Sequence, residues 1–165
     1  MIRYRSLHPS DVETIRQVAL RSWRHAYRDI YERATIERQV EDYYSEDKFR
    51  KFDFPGIHAG RALFVIVCDG DAPVGYAEVA RRGGGWDLSR IYILPEYMGR
   101  GIGRELLRRC ERFLRQKGAR SYTAYIHYRN KDAWQFYLRC RFVRNPARDR
   151  GSTSKCFEKR LEGRA

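Results

Sequence analysis

Residues 95–114 read PEYMGRGIGRELLRRCERFL, with glycine at positions 99, 101 and 103. No other stretch constrains the fold as much. Each glycine loses more conformational entropy on folding than alanine would, so three in five residues imply a backbone that must turn tightly or approach something closely. Behind them Ile102, Leu106, Leu107, Cys110, Phe113 and Leu114 fall on one face of a helix, which Gly118 stops. Ahead of them WDLSRIYIL reads as a strand. A strand entering a glycine turn and then a helix leaves unpaired N–H groups at the positive end of the helix dipole, which is an anion site. Two familiar phosphate loops are excluded. A Walker loop ends GK[ST], whereas Gly103 is followed by Arg104 and Glu105, and a GxGxxG fingerprint needs glycine at position 104.

The remaining chain supplies the rest of one sheet. Ile2 to Leu7 alternates as a half-exposed strand does, and Ser10 with Glu13 has capping-box spacing ahead of the helical run Val12, Ile15, Val18, Ala19, Trp23. A second helix fits between Ala34 and Tyr44, and KFDFPGIHAG, with Pro55, Gly56 and Gly60, predicts a loop. RALFVIVCDG and PVGYAEVARR are strands, with RGGGW as the hairpin link to WDLSRIYIL. SYTAYIHY is another strand, NKDAWQFYLRC a short helix capped by Asn130, and FVRN and STSKCFEKRL two closing strands. The predicted order is β-α-α-β-β-β-α-β-α-β-β: an α/β (α+β) domain with a mixed, mostly antiparallel sheet flanked by helices, expected to occupy residues 1–165 as one unit.

Composition narrows the function classes. The longest apolar run, Ala62 to Cys68, is too short to span a bilayer, and no secretory signal follows Arg3 and Arg5. Cys68, Cys110, Cys140 and Cys156 are widely spaced in apolar contexts, and His8, His25, His58 and His127 are scattered. Buried free thiols, no metal site and a cytoplasmic location are expected. The formal charge of +13 is uneven: residues 1–60 hold 11 Lys/Arg against 10 Asp/Glu, and residues 61–165 hold 23 against 11. The basic half is the half with the glycine loop, which suits a polyphosphate ligand. Nucleic acid is the competing partner, but no RNP, zinc-finger or helix-turn-helix signature accompanies the charge.

LSRIYILPEYMGRGIGRELL resembles the central motif of the GNAT superfamily of N-acetyltransferases, in which a strand and P-E-Y-R-G-x-G-I-G run into the helix that binds acetyl-CoA. AYIHYRNKDAWQFYLRCRF resembles the second family motif, a strand, then Asn, then FYxxxGF. The predicted order matches the family fold over essentially the whole chain. The resemblance implies acetyl-CoA as cofactor and an amine as the acceptor. Its pyrophosphate would rest on the N–H groups of Gly99, Arg100, Gly101, Ile102, Gly103 and Arg104, with Arg100, Arg104 and Lys131 beside the phosphates. Its pantetheine arm would lie along the backbone of Ile91, Tyr92 and Ile93, near Asn130 and Phe136. Two positions depart from the pattern. Met98 stands where Arg or Gln is usual and cannot donate a hydrogen bond, and Arg141 replaces the glycine of GF, so the helix is expected to end differently.

Acetyl transfer to an amine needs a neutral nucleophile, although an alkylamine has a pKa near ~10.4, and it needs a stabilised oxyanion and a protonated leaving thiolate. Tyr137 falls on the motif tyrosine that the family uses as general acid at the sulfur, although its spacing also fits a core aromatic. Asp87, Glu78 and His127 are the base candidates; a carboxylate in the apolar run around Glu78 would have a raised pKa. SWRHAYRDIYERATIERQVEDYYS, where the fold places the acceptor, resembles polyamine acetyltransferases of the PaiA type at SWxxxYxxIY. Trp23, Tyr27 and Tyr31, with Tyr43 and Tyr44, could take a cationic amine by cation–π contact. Asp29, Glu32, Glu37, Glu41 and Asp42 would complement its charge or simply form a solvated helix face. A protein N-terminus or lysine is the alternative acceptor, and a catalytically silent CoA-binding module the alternative of another class. The resemblance also allows a homodimer.

Overall fold

The computed structural model describes residues 1–162. Seven strands form one sheet in the order β1-β2-β3-β4-β5-β7-β6. They are β1 (Ile2–Ser6), β2 (Ala62–Asp69), β3 (Ala72–Arg82), β4 (Gly85–Ile93), β5 (Ser121–His127), β6 (Val143–Arg144) and β7 (Ser154–Arg160). Every pairing is antiparallel except β4 with β5. The main helices are α1 (Val12–Ala26), α2 (Arg33–Tyr43), α5 (Ile102–Gln116) and α6 (Lys131–Arg139), with two short ones, α3 (Glu46–Lys48) and α4 (Phe54–His58), after α2.

Adjacent strand residues point to opposite faces, and the end of β4 sorts the helices. Tyr92 meets Trp23 of α1 at 5.6 Å between ring centres, whereas Ile93 faces Gly103 of α5. Gly103 in turn faces Phe136, so α6 shares the α5 side. The predicted inner face of α5 is buried at Ile102, Leu106, Leu107, Cys110 and Leu114, with Phe113 half-buried, while Arg108 and Arg112 are solvated. All four cysteines are buried and unpaired. Among the described residues no helix is long and apolar enough to cross a membrane.

Three expectations change. The cap ahead of α1 uses His8 and Asp11 rather than Ser10 and Glu13: the His8 N–H donates to Asp11 Oδ2 at 2.8 Å, and Ser10 N–H donates to His8 Nδ1. Residues 46–58 are helical instead of a loop. Ser45 Oγ caps the start, Pro55 sits in the first turn of α4 directly behind the π turn, and Gly60 ends the run at φ 65°. Between α3 and α4, Phe49–Asp53 form a π turn that buries Phe49 and Asp53. Finally, α6 keeps the left-handed end that glycine would serve. Arg141 itself adopts φ 67°, with Phe142 N–H donating to the Tyr137 carbonyl.

Candidate active site

β4 and β5 pair only at Asp87↔Thr123, so beyond that point the two strands separate and, among the described residues, the β4 edge that faces β5 is left unpaired from Leu88 to Ile93. A cleft of about 300 Å³ occupies the gap, lined by Ile91, Tyr92, Ile93, Met98, Gly99, Phe136 and Tyr137. At its end the backbone N–H groups from Gly99 to Arg104 donate to no carbonyl; the next one, of Glu105, donates to Gly101 at 3.1 Å. Among the described residues, six consecutive amides at the start of a fifteen-residue helix are thus left without a backbone acceptor, an arrangement suited to an anion. Gly99 and Gly101 have φ of 75° and 79°, a region closed to most side chains. Gly103 is needed for a different reason. A Cβ there would lie 3.0 Å from Phe136 Cε2 and 3.3 Å from Ile93 Cδ1.

A second cavity, of about 370 Å³, opens on the α1 side. Trp23, Tyr27, Tyr31, Tyr43, Tyr44 and Tyr92 form its wall, with His127 and Gln39. Trp23 holds Tyr27 at 5.0 Å and Tyr92 at 5.6 Å, and the Tyr27 and Tyr92 hydroxyls are 2.9 Å apart. Tyr27, Ser89, Arg90 and Tyr92 line both cavities, so the cleft and the aromatic chamber meet there. The acids expected to complement a cation stand elsewhere. Glu37 pairs with Arg24 and Arg33, Asp42 with Lys48 and Asp29 with Arg28, while Glu32 and Glu41 are exposed. They form the solvated face of the helices, and the chamber offers π faces and hydroxyls instead.

Tyr137 is buried in the α6 side of the cleft, against Phe136 at 5.4 Å and Phe142 at 5.0 Å. Its hydroxyl makes no hydrogen bond among the described residues, and burial holds its phenol above the ordinary tyrosine range. The base candidates separate clearly. Asp87 accepts from Thr123 Oγ1 and from Arg150 Nη2 at 3.3 Å, and it lines neither cavity. His127 reaches the chamber, but its Nδ1 accepts from Arg129 N–H at 3.2 Å, which leaves the proton of the neutral ring on Nε2. Burial, then Arg129, lower its pKa, so the ring is neutral at pH 7 and presents a donor.

Glu78 is 1% exposed beneath Arg90. Its Oε2 lies 3.2 Å from Arg90 Nη1 yet has no aligned hydrogen bond. Burial pushes its pKa up to about 7; Arg90 opposes the shift and Asp53 adds to it. Glu78 lines neither cavity itself and meets their junction through Arg90.

Of the other predicted cofactor residues, Met98 is 44% exposed at the cleft mouth. Arg100 lies over the Tyr97 ring at 4.8 Å and Lys131 over Trp134 at 5.1 Å. The Asn130 side chain is used locally, accepting from Ala133 N–H as the α6 cap. Arg139 borders both the cleft and a basic groove of about 1040 Å³ that also contains Arg104, Arg141 and Arg160. These four arginines have no carboxylate partner among the described residues.

The sequence profile of the acetyltransferase (GNAT) family matches residues 20–142. The chain belongs to the GNAT family. With that family it is an N-acetyltransferase that draws on acetyl-CoA. It is 29% identical over 138 residues to the spermidine N(1)-acetyltransferase of Thermoplasma acidophilum, an alignment covering 84% of this chain and 86% of that protein. The crystal structure of the PaiA N-acetyltransferase from the same organism, in complex with coenzyme A, superposes with a TM-score of 0.89 at 28% identity over 97% of this chain and 99% of that one. An acetyltransferase from Thermus thermophilus has the same fold, with a TM-score of 0.73 at 22% identity over 98% and 97%.

Three features of this acetyltransferase's site escaped the sequence reading. Tyr92 was expected to contribute backbone, and its ring also walls the chamber. Period-two alternation beside Ile91 and Ile93 carried that signal. Arg90 and Asp53 were missed because their meeting depends on a β-bulge, which leaves Ser89 unpaired in β4, and on the π turn.

Proposed function

We propose that this acetyltransferase transfers the acetyl group of acetyl-CoA to a primary amine, a polyamine of the spermidine class first, by direct attack with both substrates held together. The observation that carries the reading is the shared junction. Tyr27, Ser89, Arg90 and Tyr92 border the cleft and the chamber alike, so an amine in one reaches a thioester in the other. The aromatic wall supports a cationic acceptor, since ammonium over tyrosine and tryptophan faces is attracted even without a carboxylate. The relationship to a spermidine acetyltransferase supports the same class.

The residues fit acetyl-CoA, which supplies the activated acetyl thioester. The free amides of 99–104 would receive the pyrophosphate, with Arg100 in the same loop for charge pairing, and Arg104 and Arg139 would extend that field toward the nucleotide end. Lys131, by contrast, lies over Trp134 and lines neither the cleft nor the basic groove. The unpaired β4 edge at Ile91–Ile93 gives the pantetheine arm a strand to lie beside, and a backbone N–H there steadies the carbonyl oxygen as it gains charge. Tyr137, protonated throughout the neutral range, donates its proton to the departing sulfur. Glu78 is the carboxylate we assign to accept the amine proton, across a solvent bridge past Arg90, because it contacts the Arg90 that borders both cavities, whereas Asp87 is held by Thr123 and Arg150 and the lone pair of His127 Nδ1 accepts from Arg129 N–H.

Mass spectrometry after incubation with acetyl-CoA tests the reading, with spermidine, spermine, lysine-containing peptides, free-N-terminus peptides and an aminoglycoside as acceptors. Acetylation led by the polyamines is expected. Exclusive acetylation of peptides would move the acceptor class, and no acetylation of any amine would overturn the proposal.

A further inference from the structure

The π turn at Phe49–Asp53 delivers a second carboxylate to Arg90. Arg90 Nη1 stands 3.1 Å from Asp53 Oδ1 and 3.2 Å from Glu78 Oε2, and Nη2 donates to the Tyr43 carbonyl at 3.2 Å. The side chains of Asp53 and Glu78 are 4% and 1% exposed and that of Arg90 13%. The guanidinium lies over the rings of Tyr44 and Phe49 at 5.0 and 5.2 Å. Two buried carboxylates compete for this one guanidinium. The geometry decides which carboxylate holds it. Asp53 accepts hydrogen bonds from both Arg90 terminal nitrogens, at 3.1 and 3.5 Å, whereas Glu78 Oε2 accepts none.

Other groups also face Glu78. Arg82 on β3 adds positive charge, and Cys110 of α5 and the Tyr44–Tyr76 hydroxyl pair, 2.7 Å apart, are neutral near pH 7. Among the described residues, Asp53 is therefore the carboxylate that competes with Glu78 for Arg90.

We infer that Asp53 is a positioning residue for the acetyl-transfer reaction: it claims the Arg90 guanidinium, leaves Glu78 without an aligned partner, and so sets the pH at which Glu78 becomes able to take a proton from the amine. This rests on the assignment of Glu78 as proton acceptor. Without Asp53, Arg90 turns to Glu78 alone and favours its ionised form.

The test compares rate–pH profiles of the wild type, Asp53→Asn and Glu78→Gln with spermidine as acceptor. The acceptor is common to all three, so the amine's own titration cancels. In Asp53→Asn the acid limb is expected to move down by about one pH unit, a roughly tenfold gain below the limb relative to the variant's own plateau. Glu78→Gln is expected to lose activity at every pH while binding CoA normally. A fully active Glu78→Gln overturns the Glu78 assignment and the inference with it. An inactive Glu78→Gln beside an Asp53→Asn profile that stays or moves up overturns the role of Asp53 alone. If Asp53→Asn fails to fold, carbon-13 carboxyl titration of the wild-type protein decides. A Glu78 midpoint in the neutral range is the expected result, and a Glu78 midpoint in the ordinary carboxylate range contradicts the inference.

Discussion

Replacing Tyr137 by phenylalanine separates chemistry from packing. The ring that touches Phe136 and Phe142 is retained. The lost hydroxyl has no hydrogen-bond partner among the described residues, so its removal orphans no buried polar group. Stability should therefore change by less than about 0.5 kcal/mol, the range of a substitution that leaves no cavity or unsatisfied group. The rate behaves differently. A positioned general acid contributes about 10²–10⁴, equivalent to about 3–5 kcal/mol of barrier. Thiol release from acetyl-CoA should fall by that factor, with CoA affinity and Tm unchanged. Burial raises the Tyr137 pKa above its ordinary value of 10.0, so no alkaline loss of rate from this group is expected at or below that pH. A variant with wild-type rate would refute the acid assignment. A large fall in Tm alongside the loss would show that the hydroxyl serves the fold.

Three further changes probe the scaffold. Gly103→Ala sets a methyl 3.0 Å from Phe136, and overpacking of about 1–3 kcal/mol outweighs the ~1 kcal/mol gain in helix propensity, so calorimetry should find a lower Tm and weaker CoA binding. Arg141→Gly removes a side chain from φ 67°; it should stabilise the protein by ~1 kcal/mol and raise Tm by about 2–4 °C. Arg144, which grips Asp149 through two 2.7 Å bonds, holds the Asp149 carboxyl at about 2, with help from Cys156 N–H. The folded pKa lies below the unfolded value of 3.8, so this stability is present above 3.8 and is lost as pH falls through about 2. Arg144→Ala should therefore shift the acid-unfolding midpoint to higher pH.

Much of this architecture was legible because it rests on local pattern. The α5 stripe from Ile102 to Leu114, the alternation of β2 and β3, and the glycines at 99–103 each express a backbone requirement in side-chain identity. Proline and glycine misled at residues 51–60, where Pro55 opens a helix and Gly60 closes one, because the same residues punctuate loops and helix ends. The aromatic residues of the chamber could be named from SWRHAY and EDYY, yet the acids beside them point to solvent, since a helix assigns faces by 100° steps that its neighbours must fix. Least legible was the Asp53–Arg90–Glu78 cluster. Its members lie on three elements, and a bulge at Ser89 shifts β4 by one residue, which turns Arg90 to the side of Glu78. No periodicity in one sequence encodes such a bulge.

Initial-rate kinetics with acetyl-CoA and spermidine varied together, and the product identified by mass, test the two-cavity site most directly. Cleft and chamber that meet at Tyr27 and Arg90 predict intersecting reciprocal plots and a mono-acetylated amine, with no acetyl-enzyme. Parallel plots with acetyl left on the protein, or tight CoA binding with no amine acetylated, would contradict the account.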